Sequence, residues 1–245
     1  PKSDRAADVI DALFFELRRL GVKIIQDRAL QIEVADGCVQ AVRGERERYL
    51  CNAAIVATVG KSYPATGSTG DGWHMAGVLG HTLIEAKPSL VPMEAAGTLC
   101  QRMQGLSLKN VVLKVKDHRN KPVFQEQGEL LFTHFGISGP LVLSASAHMK
   151  NNGGAGYHCA IDLKPALDDN ELDARLLREL SNGSNREFGN ILGTLLPRLM
   201  IPVAAEVTGI SASRKGHEVT KQERKRLLEF LRGFVIELKG PRPIE

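Results

Sequence analysis

The sequence predicts an α/β unit in its first third and a mixed α+β unit after it. Three observations predict this. A helical pattern over residues 4–20 leads into short apolar runs separated by Gly-containing turns. The run 49–58 ends in small residues, Ala57 and Thr58, and opens onto a segment rich in Gly, Ser and Thr. After Pro88 and Pro92 the pattern changes to a series of strands followed by a series of helices.

In chain order, Val9, Ile10, Leu13, Phe14, Leu17 and Leu20 recur at three- and four-residue steps, which places them on one helix face. Ser3 or Asp4 is the expected N-cap, and Gly21 the left-handed stop. Val22 to Ile25 reads as a short strand. Leu30, Ile32 and Val34 alternate with polar residues, reach Asp36-Gly37 and continue into 39–43, the pattern of a hairpin. Residues 49–58 read as a strand, and Ala53 to Ala57 has the continuous apolar character of a buried parallel one. A helix is expected over about 72–79, stopped by Gly80. Strands are expected at 108–116, 122–127, 130–133 and 157–163, with a short helix at 140–149. Helices follow at about 169–181, 186–192, 196–207 and 220–232, and a last strand at 234–239. Residues 151–156 and 181–185 read as plain connections.

Composition excludes several classes. With 43% apolar and 24% charged residues in 245, disorder, coiled coil and collagen are ruled out. No run of 18 apolar residues is present to span a membrane as a helix. No charged-then-apolar leader is visible, and four well-separated cysteines (Cys38, Cys51, Cys100, Cys159) without C-x-x-C suggest reduced thiols in a cytoplasmic setting. The net charge is +4, and aromatic residues are only 5%. The dense basic cluster Lys221, Arg224, Lys225 and Arg226 is interleaved with Glu218, Glu223 and Glu229, which reads as a solvated helix face; no nucleic-acid or membrane partner is expected. The chain begins at Pro1 and stops soon after Lys239-Gly240-Pro241-Arg242-Pro243, which reads as a piece of a longer protein.

Chemistry concentrates in residues 53–88. A strand ending in Ala57 and Thr58 offers its carboxyl end, where open α/β sheets bind ligands. Gly67, Gly70 and Gly72 let main chain and ligand approach closely. Asp71 stands where its carboxylate can cap helical N–H groups, and that first turn offers donors and a positive dipole end to a polar or anionic cofactor. The spacing is G-x-x-G-x-G, neither the dinucleotide fingerprint nor a Walker loop.

The residues Ala57-Thr58, Gly60, Ser62-Tyr63-Pro64, Gly67 to Gly72, Ala76, Gly80-His81 and Pro88, together with Gly128 to Pro140 (Gly-Glu-Leu-Leu-Phe-Thr-His-Phe-Gly-Ile-Ser-Gly-Pro), carry a specific likeness. They resemble a bacterial family of FAD-dependent oxidoreductases described as NAD(P)-utilising, of the aminoacetone oxidase and bile-acid-inducible flavoprotein type. Thr69 to Gly72 with Met75-Ala76 is similar, more distantly, to the fumarate reductase class. The resemblance implies a partial FAD-binding, Rossmann-like α/β domain at 1–90, an insert (cap and substrate) domain at 91–240 with a β-barrel-like sheet and a helical part, and a tail at 241–245. It implies that Ala57, Thr58 and Gly60 line the FAD site and that Gly67, Ser68, Thr69, Gly70 and Asp71 lie near the flavin or its linker. Val59 departs from the family's Ala-Thr-Gly-Gly, and the strand–G-x-G-x-x-G–helix unit that holds the pyrophosphate in the family is not in this sequence. The expectation is therefore an FAD-dependent dehydrogenase or reductase acting on a small molecule, with NAD(P)H as partner cofactor. FAD is not expected to be stably held by these residues alone.

The remaining candidates are weaker. The seven histidines lack metal-ligand spacing, so no metal site is expected. His134, between Thr133 and Phe135, is the candidate proton donor or acceptor. Ser138 is the expected cap of the helix begun by Pro140. Arg5, Lys61 and Arg102 could reach a phosphate but read as solvated charges, and Trp73 and Met75 as packing residues. No Gly-x-Ser-x-Gly elbow supports hydrolysis. The competing expectation is a non-catalytic interaction module formed by the insert domain. Exposed strand edges would favour self-association.

Overall fold

Residues 3–149 and 156–243 are described by the computed structural model. Residues 151–155 of the expected 151–156 connection lie outside them. The chain divides into two compact units, residues 1–85 and 86–244.

The first unit opens with α1 (Ala6–Arg19), ended by Gly21 at φ 71°. Its N-cap position is Arg5 without a side-chain cap: the helix starts too late for Ser3 or Asp4 to serve. The apolar stripe forms as the spacing requires, yet no residue of α1 is buried. A three-stranded antiparallel meander follows, β1 (Ala29–Ala35), β2 (Cys38–Gly44) and β3 (Arg48–Leu50). The β1–β2 turn has Asp36 at φ 52° and Gly37 at φ 75°, the two positive values a type I′ hairpin needs. Asp27 fastens the next turn by accepting the Tyr49 hydroxyl at 2.8 Å and the N–H groups of Arg46 and Glu47 at 3.3 Å. The helix α2 (Asp71–Val78) packs on β1, burying Met75 against a small core with Ile32 and Ala41.

One expected strand is absent here and another is cut short. Val22 to Ile25 form no strand, and of the strand expected over 49–58 only residues 49–50 form one, within β3, while Ile55 is 94% exposed. An apolar run becomes a strand only where a neighbour satisfies its N–H and C=O groups, and none of the described strands lies alongside.

The second unit is a closed antiparallel barrel with a helical subdomain. Its strands are β4 (Met93–Ala95), β5 (Ser107–Lys116), β6 (Pro122–Phe132), β7 (Gly136–Ser138), β8 (His158–Asp162) and β9 (Phe234–Pro241), in the order β4-β7-β6-β5-β8-β9 with β9 closing on β4. Closure removes every sheet edge. Alternation puts Val111, Leu113 and Val115 inside on β5, and Phe234, Ile236 and Leu238 on β9. Residues 122–127 and 130–133, expected as two strands, are one: Gly128 continues the strand. A Cβ there would meet Leu141 at 3.2 Å, so the glycine lets α4 (Pro140–His148) close onto β6. Gly139, not Ser138, occupies the cap position of α4, because Ser138 is already paired as the last residue of β7. The short elements β4, β7 and α3 (Leu99–Arg102) have no counterpart in the sequence reading.

The helical subdomain comprises α5 (Asp169–Asn182), α6 (Phe188–Leu192), α7 (Ile201–Thr208) and α8 (Lys221–Arg232). Capping boxes start α5 (Asp168 with Glu171) and α8 (Thr220 with Glu223). Leu172, Leu176 and Leu180, four apart, bury one face of α5. Arg224 of α8 grips Asp173 of α5 through two bonds of 2.8 and 3.1 Å. Phe230 of α8 lies 5.1 Å from Phe234, and Phe234 lies 6.4 Å from Phe132, so one aromatic chain joins helices to barrel. Arg232 completes the junction, reaching Asp162, Asp169 and the Lys164 and Leu167 carbonyls.

Candidate functional site

The Gly-rich segment of the first unit is built around two left-handed glycines. Pro64–Thr66 forms a 3-10 turn ended by Gly67 at φ 93°. Gly70, at φ 79°, is the N-cap of α2, and its N–H reaches back to the Gly60 carbonyl at 3.1 Å. This closes residues 60–70 into a loop in front of the first turn of the helix, where the Trp73 N–H donates to the Gly70 carbonyl at 3.0 Å and the Asp71 and Gly72 N–H groups have no partner within the helix. At Gly60 and Gly67 the space a Cβ would occupy has no atom within 4 Å, so bare main chain is open there. At Gly72 the reverse holds: a Cβ would stand 2.2 Å from Thr58 Oγ1 and 2.8 Å from Val56 Cγ1. The helix start therefore rests directly on residues 56–58.

The candidate cofactor residues consequently fall in one neighbourhood of the first unit. Ala57, Thr58, Gly60, Gly67 and Thr69 are exposed, and Ser68 and Gly70 are buried. Asp71 does not cap. Lying inside the helix, it receives the Thr69 hydroxyl and, at 3.1 Å, the Arg28 guanidinium, and these hold its carboxyl below the usual carboxylate range. Lys61 lies 5.2 Å over the Trp73 ring. Beside α2 a cavity of about 200 Å³ is lined by Leu30, Ile32, Arg43, His74, Met75 and Val78. Arg28 has no signal in the sequence, since 43 residues separate it from Asp71.

His134 lies on the second unit, at the tip of the β6–β7 hairpin. The hairpin is tightly fixed: Thr133 N–H donates to the Gly136 carbonyl at 2.9 Å, and Gly136 N–H to Thr133 Oγ1 at 3.1 Å. A Cβ on Gly136 would stand 2.2 Å from the Met93 carbonyl oxygen. His134 is exposed, edge-on to Phe135 at 5.0 Å, and the Arg242 guanidinium covers the Phe135 ring at 4.3 Å. The Arg242–Phe135 contact was not legible from sequence, because it joins residues more than a hundred positions apart.

The other candidates take structural or solvated roles. Arg5 pairs with Asp8, and Arg102 with Glu206. Cys100 and Cys159 are buried in the barrel, where burial pushes their thiols up to about 11 and about 12, while Cys38 is exposed. Among the described residues no group of three His, Cys, Asp or Glu could hold a metal ion. No described helix is long and apolar enough to cross a membrane.

A closed antiparallel barrel carrying a capped helical subdomain defines a particular class of domain. Residues 87–245 match the family described as the HI0933-like protein barrel and H2TH domain, and the chain belongs to that family. It is 27% identical over 215 residues to the 3-dehydro-bile acid delta(4,6)-reductase of Clostridium scindens, covering 86% of this chain and 51% of that one. It is 29% identical over 154 residues to the ribosomal RNA dihydrouridine synthase of Escherichia coli, covering 62% and 35%. To the ribosomal RNA dihydrouridine synthase of Haemophilus influenzae it is 26% identical over 240 residues, covering 92% and 54%. The chain thus spans about half the length, or less, of these curated relatives.

Proposed function

We propose that the chain is part of a cytoplasmic, FAD-dependent oxidoreductase that saturates a carbon–carbon double bond conjugated to a carbonyl. The names of the relatives support the reaction class. A reductase of a 3-dehydro bile acid and a synthase of dihydrouridine both add hydrogen across such a bond. FAD, when bound, supplies hydride transfer. The observation that carries the reading is the open main chain at Gly60 and Gly67 in front of the Gly70-capped start of α2. Ala57, Thr58 and Gly60 would line the cofactor, and Gly67, Ser68, Thr69, Gly70 and Asp71 would contact it, with the N–H groups of Asp71 and Gly72 in the first helical turn facing its polar atoms. The Thr69 hydroxyl and the Arg28 guanidinium hold the Asp71 carboxyl in place and below the usual carboxylate range. His134, held on a rigid hairpin and exposed, is the residue proposed to carry a proton to or from the substrate. A reduced nicotinamide is the proposed source of reducing equivalents.

The cavity beside α2, about 200 Å³, is smaller than the roughly 300–1,000 Å³ of ordinary ligand sites. These 245 residues alone are therefore proposed to hold FAD only weakly. The test is twofold. The protein purified from its own cells should carry flavin absorbance in the visible, and free FAD titrated into the 245-residue chain should give little fluorescence change. A colourless, folded protein would overturn the flavin reading. A second reading, a non-catalytic interaction module, is favoured by one observation: the second unit buries its own continuous core. A colourless protein that retained partner binding would support it.

A further inference from the structure

We infer that Arg242 binds the carbonyl oxygen of the substrate, and that Arg242 and His134 act as one reacting pair seated against Phe135. The inference rests on the proposed reductase activity and deepens it, by assigning the group that meets the charge this reaction creates.

Saturating a carbon–carbon double bond conjugated to a carbonyl makes demands at three atoms. The β carbon takes a hydride from the reduced flavin. The π pair of the double bond then moves toward the carbonyl carbon, and the carbonyl pair moves onto its oxygen, leaving an enolate. The α carbon takes a proton from the His134 imidazolium, and the oxygen pair reforms the carbonyl. The neutral imidazole regains its proton from water. The flavin is oxidised and the double bond reduced. Between the two additions the negative charge sits on oxygen, so a fixed cationic donor at that atom stabilises the passage. The oxygen and the α carbon are two bonds apart. The donor must therefore stand close to the imidazole that supplies the proton.

Arg242 meets these conditions. Its guanidinium lies 4.3 Å over the Phe135 ring, and the His134 ring meets the same Phe135 edge-on with centroids 5.0 Å apart. Main chain ties both sides to β4. The Arg242 N–H donates to the Pro92 carbonyl at 3.0 Å, and the Phe135 carbonyl accepts the Ala95 N–H at 2.9 Å. Pro241 stands opposite Met93 in the ladder, and Gly136 leaves no room for a Cβ against the Met93 carbonyl. The spacing of the pair is thus set by three strands rather than by one mobile loop. Phe135 and Arg242 are half-buried and His134 is exposed. A partly desolvated cation attracts an oxyanion more strongly than a solvated one. A guanidinium also carries five N–H donors, more than one ring contact can use. Two nearby cations do not qualify. Arg102 is engaged by Glu206, and Lys239 of β9 is exposed, with no contact to Phe135 or His134 among the described residues.

The test uses para-nitrophenol, whose planar phenolate resembles the enolate, and cyclohexenone as the reducible probe. Titrated into the 245-residue chain, para-nitrophenol should bind as the phenolate, read from its own visible absorbance. Arg242→Met and Arg242→Gln should each weaken that binding at least about tenfold, and Lys239→Met should stay within about twofold. In the flavin-carrying protein purified from its own cells, the two neutral variants should lower kcat for cyclohexenone about 100–1,000-fold, with KM changed much less, because the charge on oxygen exists only in the passage. His134→Gln should slow the same reaction yet leave phenolate affinity within about twofold. No phenolate binding by the parent chain, unchanged binding by Arg242→Met, an equal loss in Lys239→Met, or an effect on KM alone would each overturn the inference. Unfolding of both neutral variants would make Arg242 a structural residue and overturn it as well. The flavin reading fails separately, by colour, and phenolate binding is read without flavin, so the two failures are distinguishable.

Discussion

Two helices with similar sequence patterns meet opposite fates in this chain. Both α1 and α5 have 14 residues and an apolar stripe at helical spacing. In α5, Leu172, Leu176 and Leu180 are buried, fixed by a capping box and by the grip of Arg224 on Asp173. In α1, Val9, Ile10, Leu13, Phe14 and the adjoining Leu20 stay 43–62% exposed. Periodicity states which face a helix will offer, but another element must arrive to bury it. The same contrast separates the units. Among the described residues the first has three buried apolar side chains, Ile32, Ala41 and Met75, whereas the second has one continuous core running from Met93 to Leu238.

That contrast can be broken by substitution. Leu176→Ala should cost about 2–5 kcal/mol in urea unfolding of the second unit, because it leaves a cavity in a closed core. Gly136→Ala should cost about 1–3 kcal/mol, since its Cβ would collide with the Met93 carbonyl at the hairpin that carries His134. Leu13→Ala, at a site 62% exposed, should stay within about 0.5 kcal/mol. A loss near that of Leu176→Ala would mean that the face of α1 is covered in solution, and would erase the difference.

A thiol measurement sharpens the same division. Cys38, exposed in the first unit, should react with a disulfide reagent in the native protein, while Cys100 and Cys159 should react only on unfolding. Burial raises the two buried thiols to about 11 and about 12, above the ordinary value near 8.5 in the unfolded chain. The unfolded state therefore releases their protons first as pH rises. Stability of the second unit should be unaffected by them below about pH 8.5, then fall by up to about 1.4 kcal/mol per thiol per pH unit until the folded values are reached. Substituting both by Ala should remove that part of the alkaline slope.

The site shows how unevenly a sequence displays its chemistry. The Gly-rich segment was legible, because glycines, a small-residue run and a helix start are neighbours in the chain. Even so, the role of Asp71 was misread. A carboxylate next to a helix start looks like a cap, but Gly70 takes that position and Arg28, drawn from a distant segment, takes the carboxylate. The strand expected at 22–25 failed, and that expected at 49–58 formed only over 49–50, since β-structure is a property of a pair and one run cannot declare its neighbour. In the second unit the long strands and helices were legible from period and length. The three-residue strands β4 and β7, which close the barrel, were not, since three residues carry too little period.

By itself, the sequence determined the local choices: where the longer helices lie, which face of α1 and α5 is apolar, the Asp36-Gly37 hairpin, and the left-handed glycines Gly67 and Gly70 in front of α2. Each follows from interactions within a few residues. Only the tertiary structure decided that six strands close into a barrel, that Gly128 lets α4 lie on β6, and that Asp71 belongs to Arg28. Each of these depends on which groups meet across long stretches of chain, and neighbouring residues do not encode such meetings.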